Sequence, residues 1–375
     1  MHLYSLIRIL LVELVLGLVV GTNIRAIYLF KDVLKSNTTA LTTSGFNSLI
    51  IFGVGILEDG SIMYYSNTPG SVDVKVASGG AYIGGTALAT KMQSLKAAGS
   101  SVTRLEISMN SQHVKDLMAK PGPSADTPLY KNFAALKTAW GLDAVNNDDE
   151  SLYDVTSTVT FAKMLGKIGY RYTGAPYTNT GFWKSLIAQS NAGLAEPDLL
   201  FDRAYLQCYD GGAGNDPSAW ANNLGLKVVP LVWVTNDSKP SYGTTAAAAK
   251  TKFQGWKAKG GVVGGGYWND YDIEKMGLSY KGYGDALAST APPPSTLPRP
   301  PQPQSWHPSM SLTPTSSATM AAVAGAWSPP PAPKQLKRSR ARTTDTLPES
   351  SWAETNRSHG VTTKPQMDSI ESAMQ

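Results

Sequence analysis

The chain has 375 residues and a formal net charge of +5. The surplus is uneven: from Ala291 onward eight Lys and Arg face five Asp and Glu, so the remainder is nearly balanced and carries no basic stripe for nucleic acid. With Cys208 as the single cysteine and His113 as the one histidine away from the ends, an intrachain disulfide, a cysteine zinc site and a multi-histidine metal centre are excluded.

Residues 1–22 hold a short apolar run, Leu10 to Gly21, behind Arg8. It fits a secretory leader, with a structural helix as the alternative. The run is short for a membrane span, and Arg8 and Glu13 would make one costly. Strands are then expected at Ile24–Phe30, Ser48–Ile56, Val102–Met109, Leu142–Asp148, Tyr170–Tyr177, Arg203–Tyr209, Lys227–Val234 and Gly261–Trp268. An extra hairpin is expected after the second, turning at Asp59-Gly60. Helical stretches separate the strands: ALATKMQSLKAAG, PLYKNFAALKTAWG, TSTVTFAKMLGKIG and TAAAAKTKFQGWKAKG all close on a glycine that can stop a helix. Asn37, Asn236 and Asn356 each begin a glycosylation sequon, relevant only to a secreted chain. From Ala291 the composition shifts to proline, with fifteen of 24 prolines, and residues 291–375 read as a disordered basic tail.

Eight apolar strands alternating with helices over about 250 residues predict an α/β fold, a (β/α)₈ TIM barrel over residues 23–290. No GxGxxG follows the first strand and no Walker loop is present, which argues against an open nucleotide-binding sheet. In a barrel the active site lies at the carboxyl ends of the strands. The fourth strand runs out there as LDAVNNDDESLYD. Strand alternation would put Asn146, Asp148 and Glu150 on one face. Two carboxyls side by side raise one pKa of the pair and keep a proton available near neutral pH. A general acid for glycosidic bonds needs that proton.

This stretch resembles the DxxDxDxE signature of glycoside hydrolase family 18, the chitinase-like barrels, with Asp143, Asn146, Asp148 and Glu150 in its polar positions. The resemblance implies Glu150 as acid/base and Asp148 as the group that orients the 2-acetamido nucleophile of the substrate, a route outside the two-carboxylate scheme. YLQCYD is similar to the family's tyrosine-aspartate pair, implying sugar contacts for Tyr209 and Asp210, with Gln207 beside them. GGGYW brings Trp268 to the eighth strand end, where the family stacks a tryptophan under the sugar. YKNFAALK, NDDESLYDV, GFWKSL and YLQCYDGGAGNDPSAW also resemble uncharacterised fungal and bacterial proteins labelled coagulation factor 5/8 type domain proteins, although this chain carries no such module. Four departures from the family stand out: Asn146 for Asp, Asn147 for an apolar residue, Ala144 for Gly, and SMNS where a Gly pair is usual.

The expected activity is therefore a retaining glycosidase on N-acetylglucosamine-containing glycans. The alternative is a chitinase-like barrel that binds carbohydrate with little or no turnover. A divalent-metal enzyme is the weakest reading, since strand parity splits the acids. No cofactor or metal is expected, and the partner is an oligosaccharide or polysaccharide. Trp233 and Tyr177 lie near strand ends and line either the cleft or the core. Asp143 binds sugar, or pairs with a lysine at a strand end. Asp149 and Asp154 read as loop acids or a helix cap. Cys208 has parity opposite to Tyr209 and reads as a small buried residue facing the helices.

Overall fold

The computed structural model describes residues 23–289. The expected leader at residues 1–22 and the tail at residues 291–375, with Asn356, lie outside the described residues. Eight strands form the centre: β1 (Ile24–Leu29), β2 (Ser48–Ile56), β3 (Arg104–Met109), β4 (Ala144–Asn147), β5 (Arg171–Gly174), β6 (Phe201–Gln207), β7 (Val228–Val234) and β8 (Gly264–Trp268). Each pairs in parallel with the next, and β8 pairs in parallel with β1. The sheet is closed, as the alternation of strands and helices predicts, and closure leaves these strands no free edge.

The helices start and stop where side-chain chemistry tells them to. Thr127 accepts a hydrogen bond from the Tyr130 amide ahead of the helix Pro128–Trp140, whose first residue is the proline. Gly141, at φ 66°, ends it. Leu129, Phe133, Leu136 and Trp140 recur on one face of that helix and are buried. Asp154 accepts from the Ser157 amide and opens the helix Val155–Ile168, which ends at Gly169, φ 96°. Among the described residues no helix is long and apolar enough to cross a membrane.

Two apolar layers result. The outer one lies between strands and helices and includes Leu49, Leu105, Val145, Phe161 and Leu206. The inner one fills the barrel with Ile24, Ala26, Tyr28, Ile50, Tyr205, Val229 and Leu231. The glycine run of β8 fits between them. A Cβ on Gly265 would sit 2.6 Å from the Phe253 ring on the outside, and one on Gly266 would sit 2.7 Å from Leu231 on the inside. Side chains at either position would separate the last strand from its neighbours.

The expected hairpin is present: Ile62–Tyr64 pairs antiparallel with β2, and Asp59 caps the turn by accepting from the Ser61 amide. The sheet continues through Val74–Ser78 and Ala81–Tyr82, two short strands that the sequence pattern did not disclose. β4 and β5 are shorter than expected, so Asp148 and Glu150 lie beyond the end of β4. Asp148 still donates its amide to the Met109 carbonyl at 2.8 Å and runs on beside β3. Glu150 stands in the loop, and strand alternation does not place it.

Candidate active site

The interior of the barrel changes character from bottom to top. Low in the barrel Glu106 is fully buried and accepts hydrogen bonds from Arg104 Nε (2.7 Å), the Tyr205 hydroxyl (2.7 Å) and the Thr173 hydroxyl (2.7 Å). Arg104 also forks onto Asp202 at 2.6 and 2.8 Å. One level higher, Asn146 donates its amide to Thr173 Oγ1 at 2.9 Å and accepts from the Tyr28 hydroxyl at 3.0 Å. Above these groups the barrel opens onto Asp148, Glu150, Gln207, Tyr209 and Trp268.

Gln207, on the last position of β6, donates to Asp148 Oδ1 at 3.3 Å and to the Ala175 carbonyl at 3.0 Å. Gln207 also favours the ionised form of Glu150. Burial nevertheless dominates. It pushes Asp148 well above the ordinary aspartate range, and the Glu150 and Asp149 charges push it further. Glu150 is raised too, first by desolvation and then by Asp210 and Asp149. The outer edge of Glu150 remains exposed, so an incoming group can reach it.

Aromatic groups wall this acid pair. The Trp268 indole lies 5.5 Å from the Tyr28 ring, 5.5 Å from Phe30 and 4.8 Å from Phe52. Tyr209 packs edge-on to Trp233 at 5.9 Å. Its hydroxyl lies in the field of Asp148 and Glu150, and burial raises its pKa well above the usual tyrosine value. Trp233 donates its indole N–H to Asp272 at 2.7 Å and is itself buried, so core packing holds its ring. Tyr177 feels the charges of Glu150, Asp148 and Asp210, with Tyr153 beside it.

The structure thus gathers Asn146, Asp148, Glu150, Gln207, Tyr209, Tyr177, Trp233 and Trp268 at one end of the barrel. Asp210 is at the rim, paired with Lys239 Nζ at 2.6 Å. For Asp143 the sugar contact is corrected and the other reading, a lysine pair at a strand end, is the one found. It precedes β4 at the amino end of the barrel, accepting from Lys96 Nζ at 2.7 Å and the Leu105 amide at 2.8 Å, and cannot touch a sugar at the mouth. Asp149 is a second correction, since it is buried rather than solvated. Its two oxygens accept from the amides of Ser151, Leu152 and Tyr153 and fold the loop that carries Glu150. Asp154 is the expected helix cap. Cys208 is buried in the outer layer, and burial pushes its thiol up to about 12. A glycan on Asn236 would not fit this fold. The Asn236 side chain is buried and bonded to the Val234 carbonyl, Ser238 and the Lys239 amide. Sequence reasoning missed Tyr28, Glu106, Tyr153 and Thr173.

The raised pKa of Asp148 has a consequence for stability. Above the ordinary aspartate range the folded protein retains the Asp148 proton to higher pH than the unfolded chain does. The associated stability is present below the ordinary aspartate range and lost as pH rises through the folded value. Asp148→Asn mimics the protonated form. The variant should melt above the parent at about pH 8, and the gap should close toward about pH 4. Paired thermal melts across that range check it; a gap that does not change with pH would count against a raised Asp148 pKa.

No protein-family model matches the chain, and no curated protein matches it. Solved structures do. The catalytic domain of a family GH18 chitinase from the fern Peteris ryukyuensis superposes with a TM-score of 0.50 at 14% identity, over 72% of this chain and 99% of that one. A GH18 chitinase from Pseudoalteromonas aurantia superposes with a TM-score of 0.51 at 12% identity, over 72% of this chain and 100% of that one. The protein is a (β/α)₈ barrel with the fold of the family 18 chitinases, the fold that the sequence resemblance implies. The identities are low enough that the likeness is one of fold.

Proposed function

We propose that the barrel is a retaining glycosidase acting on β-linked, N-acetylglucosamine-containing glycans. The carrying observation is the pair of carboxyls Asp148 and Glu150 at the aromatic mouth of the barrel, both raised in pKa by burial, with Gln207 donating to Asp148. Glu150 gives its proton to the glycosidic oxygen, and the C1–O bond breaks with its electrons going to that oxygen. The carbonyl oxygen of the substrate's own acetamido group closes onto C1 from the opposite face, forming a cyclic oxazolinium. Asp148 accepts a hydrogen bond from the acetamido N–H, and the Tyr209 hydroxyl donates to the carbonyl oxygen. Glu150, now a carboxylate, takes a proton from water, whose oxygen bonds to C1 and reopens the ring with net retention. Trp268 supplies an apolar platform for the sugar face.

Release of a fluorogenic group from a chitooligosaccharide tests the proposal, with Glu150→Gln as the control. Turnover that depends on Glu150 supports it. Turnover that Glu150→Gln leaves untouched, or none on any β-linked N-acetylglucosamine substrate, overturns it. Trp268→Ala, made in the Glu150→Gln background, should weaken oligosaccharide binding about tenfold through loss of stacking. Calorimetric titration measures this directly, and unchanged affinity would remove Trp268 from the sugar site.

One observation favours a second reading, a barrel that binds glycans without turning them over. Asn146 is an amide, locked between Tyr28 and Thr173, and it cannot relay a proton to Asp148. Oligosaccharide binding by the parent protein in the absence of turnover would decide for that reading.

A further inference from the structure

The Trp268 indole is partly buried and is walled by three rings: Tyr28 at 5.5 Å, Phe30 at 5.5 Å and Phe52 at 4.8 Å. Tyr28 and Phe52 lie within β1 and β2, where strand pairing places them. Phe30 does not. Pairing of β1 stops at Leu29, so the amides of Phe30 and Lys31 have no strand partner. A single carboxylate takes both. Asp270 is fully buried, and its Oδ1 accepts from the Phe30 amide at 2.7 Å and the Lys31 amide at 3.0 Å. Its Oδ2 accepts from the Ser36 hydroxyl at 2.9 Å. Asp270 opens the short helix Asp270–Lys275, two residues past Trp268. The same helix grips the same segment a second time: Glu274 accepts from Lys31 Nζ and, at 2.8 Å, from the Asn37 amide.

We propose that Asp270 is a positioning residue for the sugar platform: by tying the Phe30 and Lys31 amides to the helix that follows Trp268, it sets the Phe30 ring against the indole and fixes the face that the indole offers to the mouth. The inference deepens the glycosidase reading and rests on it for the identity of the ligand. Phe30 is itself buried, so it backs the indole rather than meeting the sugar. Its ring also stacks on Phe52, with centroids 5.7 Å apart and planes 23° apart, so a shift of Phe30 loosens two of the three walls at once. Asp270 reaches no reacting group, and its effect passes through Phe30 and Trp268 alone. Affinity should therefore respond to Asp270 only while the indole is present.

The test is a double-mutant cycle on the full chain in the Glu150→Gln background, read by calorimetric titration of a chitooligosaccharide. Asp270→Ala should weaken binding by about three- to tenfold, no more than Trp268→Ala itself does. Added to Trp268→Ala, it should cost nothing further. Asp270→Asn keeps an oxygen for the two amides and should restore most of the affinity. Equal losses with and without the indole would mean a merely structural carboxylate and overturn the proposal. A second readout needs no ligand: fluorine NMR of the protein labelled with 5-fluorotryptophan, with Trp268→Phe to assign the signal. The Trp268 resonance should shift or broaden in Asp270→Ala and return in Asp270→Asn; a resonance unmoved in Asp270→Ala overturns the proposal. Phe30→Leu leaves Asp270 and its three bonds in place and should disturb the same resonance, so it carries the test if Asp270→Ala does not fold, and an unmoved signal there is equally fatal. If the protein binds no chitooligosaccharide while the resonance still moves, the glycan reading fails and the positioning role stands.

Discussion

Glu150→Gln should lower turnover of a chitooligosaccharide by about 10²–10⁴-fold while leaving binding within a few-fold. The substitution keeps the shape of the side chain and removes only the transferable proton. Because burial and neighbouring acids raise the Glu150 pKa, the parent's rate should persist above the ordinary glutamate range and fall on the alkaline side as Glu150 ionises. The variant's residual rate should lose that alkaline limb. A kcat/KM profile against pH, measured for both proteins, checks the two statements together. A residual activity that retains the parent's alkaline limb would mean that another group supplies the proton.

Much of the fold was legible because closed parallel barrels write themselves as repeated apolar runs. Each run was found, and the glycines that end the helices marked where the chain turns back. The strand ends were less legible. Pairing in β4 stops at Asn147, yet Asp148 stays extended because its amide reaches Met109. Glu150 is instead placed by Asp149, whose carboxylate gathers three amides of the following turn. A buried loop acid and a solvated one look alike in sequence, so its role could not be read there.

The residues that were missed differ in why. Glu106 stood in the open, as a lone acid inside the apolar strand RLEISM at inward parity. Tyr28 follows the same alternation as Ile24 and Ala26. A parity count on every strand, rather than on the acidic one alone, would have found both. Tyr153 could not have been found this way. It sits in a loop at φ 49°, and only the folded chain brings it against Tyr177 and the Phe182 ring, 5.3 Å away. Asp143 misled because a motif position carries no information about height in the barrel, and this one falls at the amino end.

Glu106→Ala should be the most damaging single substitution for stability, costing roughly 3–5 kcal/mol, the usual penalty for breaking a buried ion pair from one side. Three donors lose their acceptor at once: Arg104 Nε, the Tyr205 hydroxyl and the Thr173 hydroxyl. Arg104 keeps Asp202, so its charge is not fully orphaned, and that retained partner argues for the lower half of the range. The cavity left by the lost carboxyl lies among polar groups, where entering water would offset part of the cost. A melting temperature lower by about 10 °C follows for a domain of this size. Glu106→Gln should cost less, because its amide oxygen still accepts from one donor and no cavity forms. Denaturant unfolding of the two variants separates packing from charge. Equal losses would place the whole effect on the missing charge, and a loss below about 1 kcal/mol in Glu106→Ala would mean that the interior network contributes little to holding the barrel closed.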